Sequence, residues 1–153
     1  MTEIQGCDHV SLEGEHDYIQ WLFPLPEPSP VNPLAPVLDQ ETIDLFAHTA
    51  ELRNRLKRSF EVMLDFYGFE LREDSATPEV RPSARFESAA KVWLSPGNHN
   101  HLRITRILRC LSLLGLGPDA RAFFDALAQV YRSSRGHNAI SRTSFSFWEH
   151  AVT

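Results

Sequence analysis

Between His99 and Leu114 the chain reads HNHLRITRILRCLSLL, and this stretch constrains the fold more than any other. Ile104, Ile107, Leu108, Leu111 and Leu114 recur at helical spacing and share one broad side, which predicts a helix over Asn98 to Leu114. His99, Arg103 and Arg106 form a stripe on a different side. Leu102 and Leu113 lie near that stripe, so the helix is apolar on more than one face, as helices in the middle of a domain are. Arginines on such a helix need company, because a buried charge without a partner is very costly. Two sources are open: carboxylates of the chain itself, with Asp17, Glu15 and Glu87 as candidates, or an anionic ligand.

A length of 153 residues suits one domain and is enough to bury a core without metals or disulfides. We divide it into a polar segment over residues 1–15 and a globular domain over 16–153. The hydrophobic fraction of 42% is that of a globular chain. The net charge of −5 argues against a general nucleic-acid binder. Cys7 and Cys110 lie far apart, carry no CxxC or Cys/His spacing, and read as reduced thiols. No early apolar run resembles a secretory signal, and none approaches the roughly 20 apolar residues of a membrane span. The expectation is an intracellular, cytoplasmic protein whose oligomeric state the sequence leaves open.

Periodicity places the other elements. Tyr18, Trp21 and Leu22 share a helical face in a short segment that Asp17 caps and Pro24 stops. Six of the ten prolines fall between Pro24 and Pro36, which predicts an extended stretch wrapped over the surface. One long helix is expected from Asp39 to about Tyr67, ended by Gly68 in a left-handed cap. A short extended piece at Phe69 to Leu71 and a polar loop over 73–83 follow. Further helices are expected over Ala84 to Leu94, Asp119 to Ser133 and Ser141 to Ala151, with a loop at Ser133 to Asn138. No useful period of two occurs, so a sheet is not expected. The fold class is all-α: a single domain of five or six helices around the arginine-bearing one, with the Asp39–Tyr67 and Asp119–Ser133 helices packed on it.

Seven histidines invite a metal reading, but His99 and His101 cannot share a helical face, and no HExxH or paired-cysteine site exists. No metal or other cofactor is assigned. No GxSxG, GxxxxGK or recognisable Cys/His frame points to catalysis either. Cys110 falls on an interior helix and reads as a small hydrophobe. What remains is a candidate site of His16, Asp17, Tyr18, Trp21, His99, Asn100, Arg103 and Arg106. In it the arginines and His99 grip an anion-bearing small molecule or short peptide, and Tyr18 and Trp21 form apolar walls. The segment containing Asp17 is expected to dock over the first half of the central helix, with Asp17 near Arg103 or Arg106. Two alternatives use the same residues: an enzyme of unknown chemistry, or a scaffold whose arginines pair with carboxylates internally. An open pocket with arginine donors favours binding, a closed salt-bridged cluster the scaffold, and a pocket holding a Cys or His of strongly shifted pKa catalysis.

Three strings add a resemblance. HDYIQWLFPL (16–25), LDFYGFEL (64–71) and HNHLRITRILRCLSLLGL (99–116) resemble the conserved region of the opioid growth factor receptor family, in the family's order and at similar separations. RFESAAKVWL (85–94) is a looser fourth block. The resemblance implies a receptor-type domain that binds a peptide. The vertebrate member is described as a nuclear-associated receptor for a short enkephalin-type peptide that restrains growth, and its family label extends to membrane association. The resemblance is to the conserved domain alone, as in stand-alone members, and it carries over no catalytic or ligand residue.

Overall fold

Local periodicity and its punctuation account for most of the architecture. The computed structural model describes residues 18–30 and 32–153. Among them the chain runs α1 (Tyr18–Leu22), α2 (Gln40–His48), α3 (Ala50–Tyr67), β1 (Phe69–Arg72), β2 (Glu79–Pro82), α4 (Phe86–Trp93), α5 (Asn100–Leu113), α6 (Gly117–Arg132), α7 (Ser134–Ala139) and α8 (Arg142–Val152). The all-α class holds, with eight helices among the described residues instead of five or six.

Three expectations need correction. The single helix over 39–67 is two, because Thr49 is extended (φ −122°, ψ 99°). Arg53 stabilises the break: its guanidinium donates to the carbonyls of Phe46 and Ala47 at 2.6 and 2.7 Å, at the end of α2 where the Thr49 N–H reaches the Phe46 oxygen only at 3.4 Å. The expected loop at 133–138 is largely α7. Ser133 Oγ accepts from the Gly136 N–H at 3.1 Å, and Gly136 allows a close approach, since a Cβ there would sit 1.9 Å from the Val130 carbonyl oxygen. A sheet does exist, as one antiparallel hairpin pairing Phe69 with Pro82 through Arg72 with Glu79. With four residues per strand and only Val80 of β2 buried, alternation had no room to show.

Gly68 does end α3 in the left-handed region (φ +86°), its N–H donating to the Asp65 carbonyl. The tight turn also brings Phe86 Cα within 2.6 Å of where a Cβ would stand. Between α1 and α2 the described chain has no helix. It closes on itself where the Leu38 N–H donates to the Leu25 carbonyl at 3.0 Å.

The core is a layer of aromatics. Tyr67, Phe69, Trp93 and Phe123 stack and tilt on one another at centroid distances of 5.7–6.4 Å. α5 sends Ile104, Ile107, Leu108, Cys110 and Leu111 into it. It packs most extensively against α8 and α6, whereas α3 reaches it through side chains, the Tyr67 hydroxyl donating to Asn100 Oδ1 at 3.4 Å. Among the described residues the last helix and α6 are therefore its main neighbours. His101 marks this junction. Its ring lies between Trp93 and Trp148, edge-on to both, its Nε2 is 3.0 Å from the Trp93 carbonyl, and its own carbonyl accepts from Trp148 Nε1 at 2.9 Å. α5 is not enclosed on every side: Leu102 is 65% exposed and Leu113 is also exposed. The open side carries the site described next.

Candidate functional site

Residues three apart on a helix lie nearly in line, so Arg103, Arg106 and Arg109 run along one edge of α5. That edge forms the floor of a groove of about 790 Å³. Ile19 and Gln20 of α1 and Leu25, Ser29 and Pro30 of the segment after it form one wall, and Phe147, His150 and Ala151 of α8 form the other. His99, Leu102 and Thr105 complete the α5 side.

The structure thus brings His99, Arg103 and Arg106 together. Arg103, only 7% exposed, lays its guanidinium 5.3 Å from the centre of the Tyr18 ring and donates to Asn100 Oδ1 at 3.3 Å. Asn100 is fully buried and shared with Tyr67, so it orients Arg103 and does not line the groove. Arg106 is half-buried, and its Nε donates to the Phe23 carbonyl at 2.7 Å, which ties the end of α1 to α5. Burial holds its pKa below the ordinary guanidinium value. Arg109, at the mouth, pairs with Glu27 at 2.7 Å, and its hydrogen bond lowers the Glu27 pKa.

Tyr18 and Trp21 are not among the groove-lining residues. Tyr18 is buried beneath Arg103, its hydroxyl 3.8 Å from Met63 Sδ, and Trp21 is 46% exposed. In so short a helix the two residues between them, Ile19 and Gln20, face the groove instead. Glu87, a candidate partner of the α5 arginines, pairs with Arg135 at 3.0 Å. His16 and Asp17, with the expected Asp17 contact, lie outside the described residues.

Sequence reasoning missed Gln20, Ser29, Arg109, Phe147 and His150. Arg109 could have been found, since it extends the Arg103–Arg106 spacing by one further step of three. The α8 wall had no local signal, because Phe147 stands 41 positions after Arg106. Two buried reactive side chains lie elsewhere. The Cys110 thiol is buried in the core, and its pKa is pushed up to about 12. His101, whose pKa burial pushes down, is likewise absent from the groove lining. Among the described residues no three His, Cys, Asp or Glu side chains converge as metal ligands do.

The model of the opioid growth factor receptor (OGFr) conserved region matches residues 3–151, nearly the whole chain. The chain belongs to this family. The opioid growth factor receptor of Rattus norvegicus is 48% identical over 105 residues, which is 69% of this chain and 18% of the rat protein. The Homo sapiens receptor is 45% identical over the same length, covering 15% of that protein. Opioid growth factor receptor-like protein 1 of Xenopus tropicalis is 40% identical over 110 residues, 71% of this chain and 20% of the frog protein. The chain therefore spans a fifth or less of the relatives it matches here. No solved structure matches it. None of the described helices of this conserved-region domain is long and apolar enough to cross a membrane.

Proposed function

We propose that this opioid growth factor receptor-type domain is a binding module whose groove takes a short acidic peptide or another small anion-bearing ligand. One observation carries the reading. Three arginines and two histidines line the groove, and no carboxylate does so among its described residues, in a chain whose net charge is −5. Positive charge gathered in a concave, partly apolar cleft focuses the field on an incoming anion. Guanidinium groups suit carboxylate and phosphate because they offer paired donors in one plane. The receptor names of the relatives agree with a binding role.

The scaffold alternative calls for arginines closed off by internal carboxylates. Arg106 instead bonds a backbone carbonyl, and the Arg109–Glu27 pair sits exposed at the mouth. The enzyme alternative calls for a perturbed Cys or His in the groove, and Cys110 and His101, whose pKa values burial shifts, lie outside it. Binding is therefore the favoured reading. The test is a thermal-shift screen against acidic peptides, nucleotides and small carboxylates, repeated on Arg106→Gln. A ligand of the native state raises the melting temperature by mass action. The expected result is a hit among acidic compounds that the variant loses. An absence of hits in all three classes sinks the reading.

A further inference from the structure

We infer that Gln20 contacts the ligand and accepts an N–H from an acidic peptide lying in the groove. This rests on the binding function proposed above and adds what the ligand must carry besides negative charge. Gln20 is 8% exposed and lines the groove between the end of α1 and the α5 arginines. Its Oε1 is shut off from solvent and has no hydrogen-bond partner among the described residues. Asp119 Oδ1, which also lacks a hydrogen bond, has Lys57 Nζ 3.2 Å away as an ion-pair partner; Asn100 accepts from Tyr67 and Arg103, His101 meets the Trp93 carbonyl, and Ser59 donates to the Arg55 carbonyl. An orphaned amide oxygen is a cost to folding, and leucine or methionine would fill the same space without it. A buried polar group left unpaired calls for an explanation, and a missing ligand donor supplies one.

The ligand class follows from the donor–acceptor inventory. Guanidinium groups only donate, so the N–H groups that Arg106 and Arg109 keep beyond the Phe23 carbonyl and Glu27 suit acceptors, whereas the Gln20 oxygen calls for a donor. A bare anion answers the first demand and leaves the second open. An acidic peptide answers both, with carboxylates for the arginines and a main-chain N–H for Gln20. Leu25, Leu102 and Phe147, set among the same polar groups, offer contact to an apolar side chain.

The experiment is a fluorescence titration of the full chain with a labelled peptide of alternating glutamate and leucine, and with the same peptide N-methylated at each position in turn. Wild type, Gln20→Leu and Arg106→Gln are compared, with Gln20→Met as a second volume-matched variant should the leucine fold poorly. One N-methylation is expected to weaken wild-type binding about tenfold, the worth of one hydrogen bond, and to leave Gln20→Leu binding unchanged. Unliganded Gln20→Leu or Gln20→Met is expected to melt at or above the wild-type temperature, which a structural glutamine would not allow. The inference is overturned if every N-methylation penalty is the same in wild type and the Gln20 variants, or if both variants melt lower. It is also overturned if wild type binds no peptide at all, whether residues 1–17 or a second copy fills the groove. Loss of binding in Arg106→Gln beside an indifferent Gln20 overturns this inference and leaves the proposed function standing. Indifference of Arg106→Gln overturns both.

Discussion

Trp148 holds α8 against α5, and its removal is a test of how the groove is built. The indole is fully buried, its Nε1–H donates to the His101 carbonyl at 2.9 Å, and its ring meets His101 edge-on at 5.8 Å. Trp148→Ala deletes the whole side chain from a packed core and should cost about 3–5 kcal/mol. Trp148→Phe separates the contributions. It keeps most of the ring and loses the hydrogen bond, but the His101 carbonyl is not orphaned, since Thr105 Oγ1 still donates to it at 3.2 Å. The bond's loss therefore falls near ~1 kcal/mol, and the smaller ring adds a cavity cost of similar size, for a total of about 2 kcal/mol. Urea unfolding followed by far-ultraviolet circular dichroism measures both variants. Phe147, His150 and Ala151 flank Trp148 on the groove wall, so Trp148→Ala should also weaken any acidic ligand found. A phenylalanine variant within about 0.5 kcal/mol of wild type, the range of an ordinary surface change, would refute the role given to the indole.

Gly136→Ala should destabilise by about 3 kcal/mol or more in the same assay, because its methyl group would stand 1.9 Å from the Val130 carbonyl oxygen. Gly97→Ala, with φ +68° and nothing within 4 Å, should cost only the backbone strain of about 1–2 kcal/mol. Arg53→Ala removes both bonds to the end of α2, a helix with no buried residue, and should cost about 1–2 kcal/mol. Amide hydrogen exchange should show protection lost in α2 and retained in α5. Burial lowers the His101 pKa, so the unfolded chain takes up that proton first as pH falls. Its stabilising contribution is complete above the ordinary histidine value near 6.5 and drains away as pH drops from there through the folded value. Urea midpoints at pH 7.5 and 5.5 should therefore differ less for His101→Gln than for wild type; an equal difference counts against the buried neutral imidazole.

What the sequence made legible is what local period and punctuation encode. The α5 residues Ile104, Ile107, Leu108 and Leu111 announce their helix by spacing alone, and Gly68 marks the end of α3 because only a left-handed residue turns the chain there. Trp93 and Trp148 could be placed inward by the same arithmetic. The break at Thr49 was not legible, because what steadies it is the Arg53 side chain folding back over carbonyls earlier in the chain. The loop expected at Ser133 to Asn138 contains Gly136, whose use is a close approach to Val130 within a helical turn. In the candidate site, the arginine stripe followed from helical geometry. The α8 wall depends on tertiary packing, and the orphaned Gln20 oxygen depends on knowing which donors fail to reach it. Trp21 and Tyr18 were assigned to the groove by residue type, but a five-residue helix has only one orientation to give, and burying Tyr18 and Leu22 turns Trp21 to solvent.

The central claim is that the guanidinium groups along α5 receive an acidic ligand in an open groove. Arginine Nε–Hε resonances of the nitrogen-15-labelled chain, followed while an acidic peptide is added, test it most directly. The account predicts saturable shifts at Arg106 and Arg109, with resonances of the buried Trp93 and Trp148 indoles little moved. Unshifted arginine resonances across the titration, or equal shifts at arginines far from the groove such as Arg81 and Arg132, would contradict it.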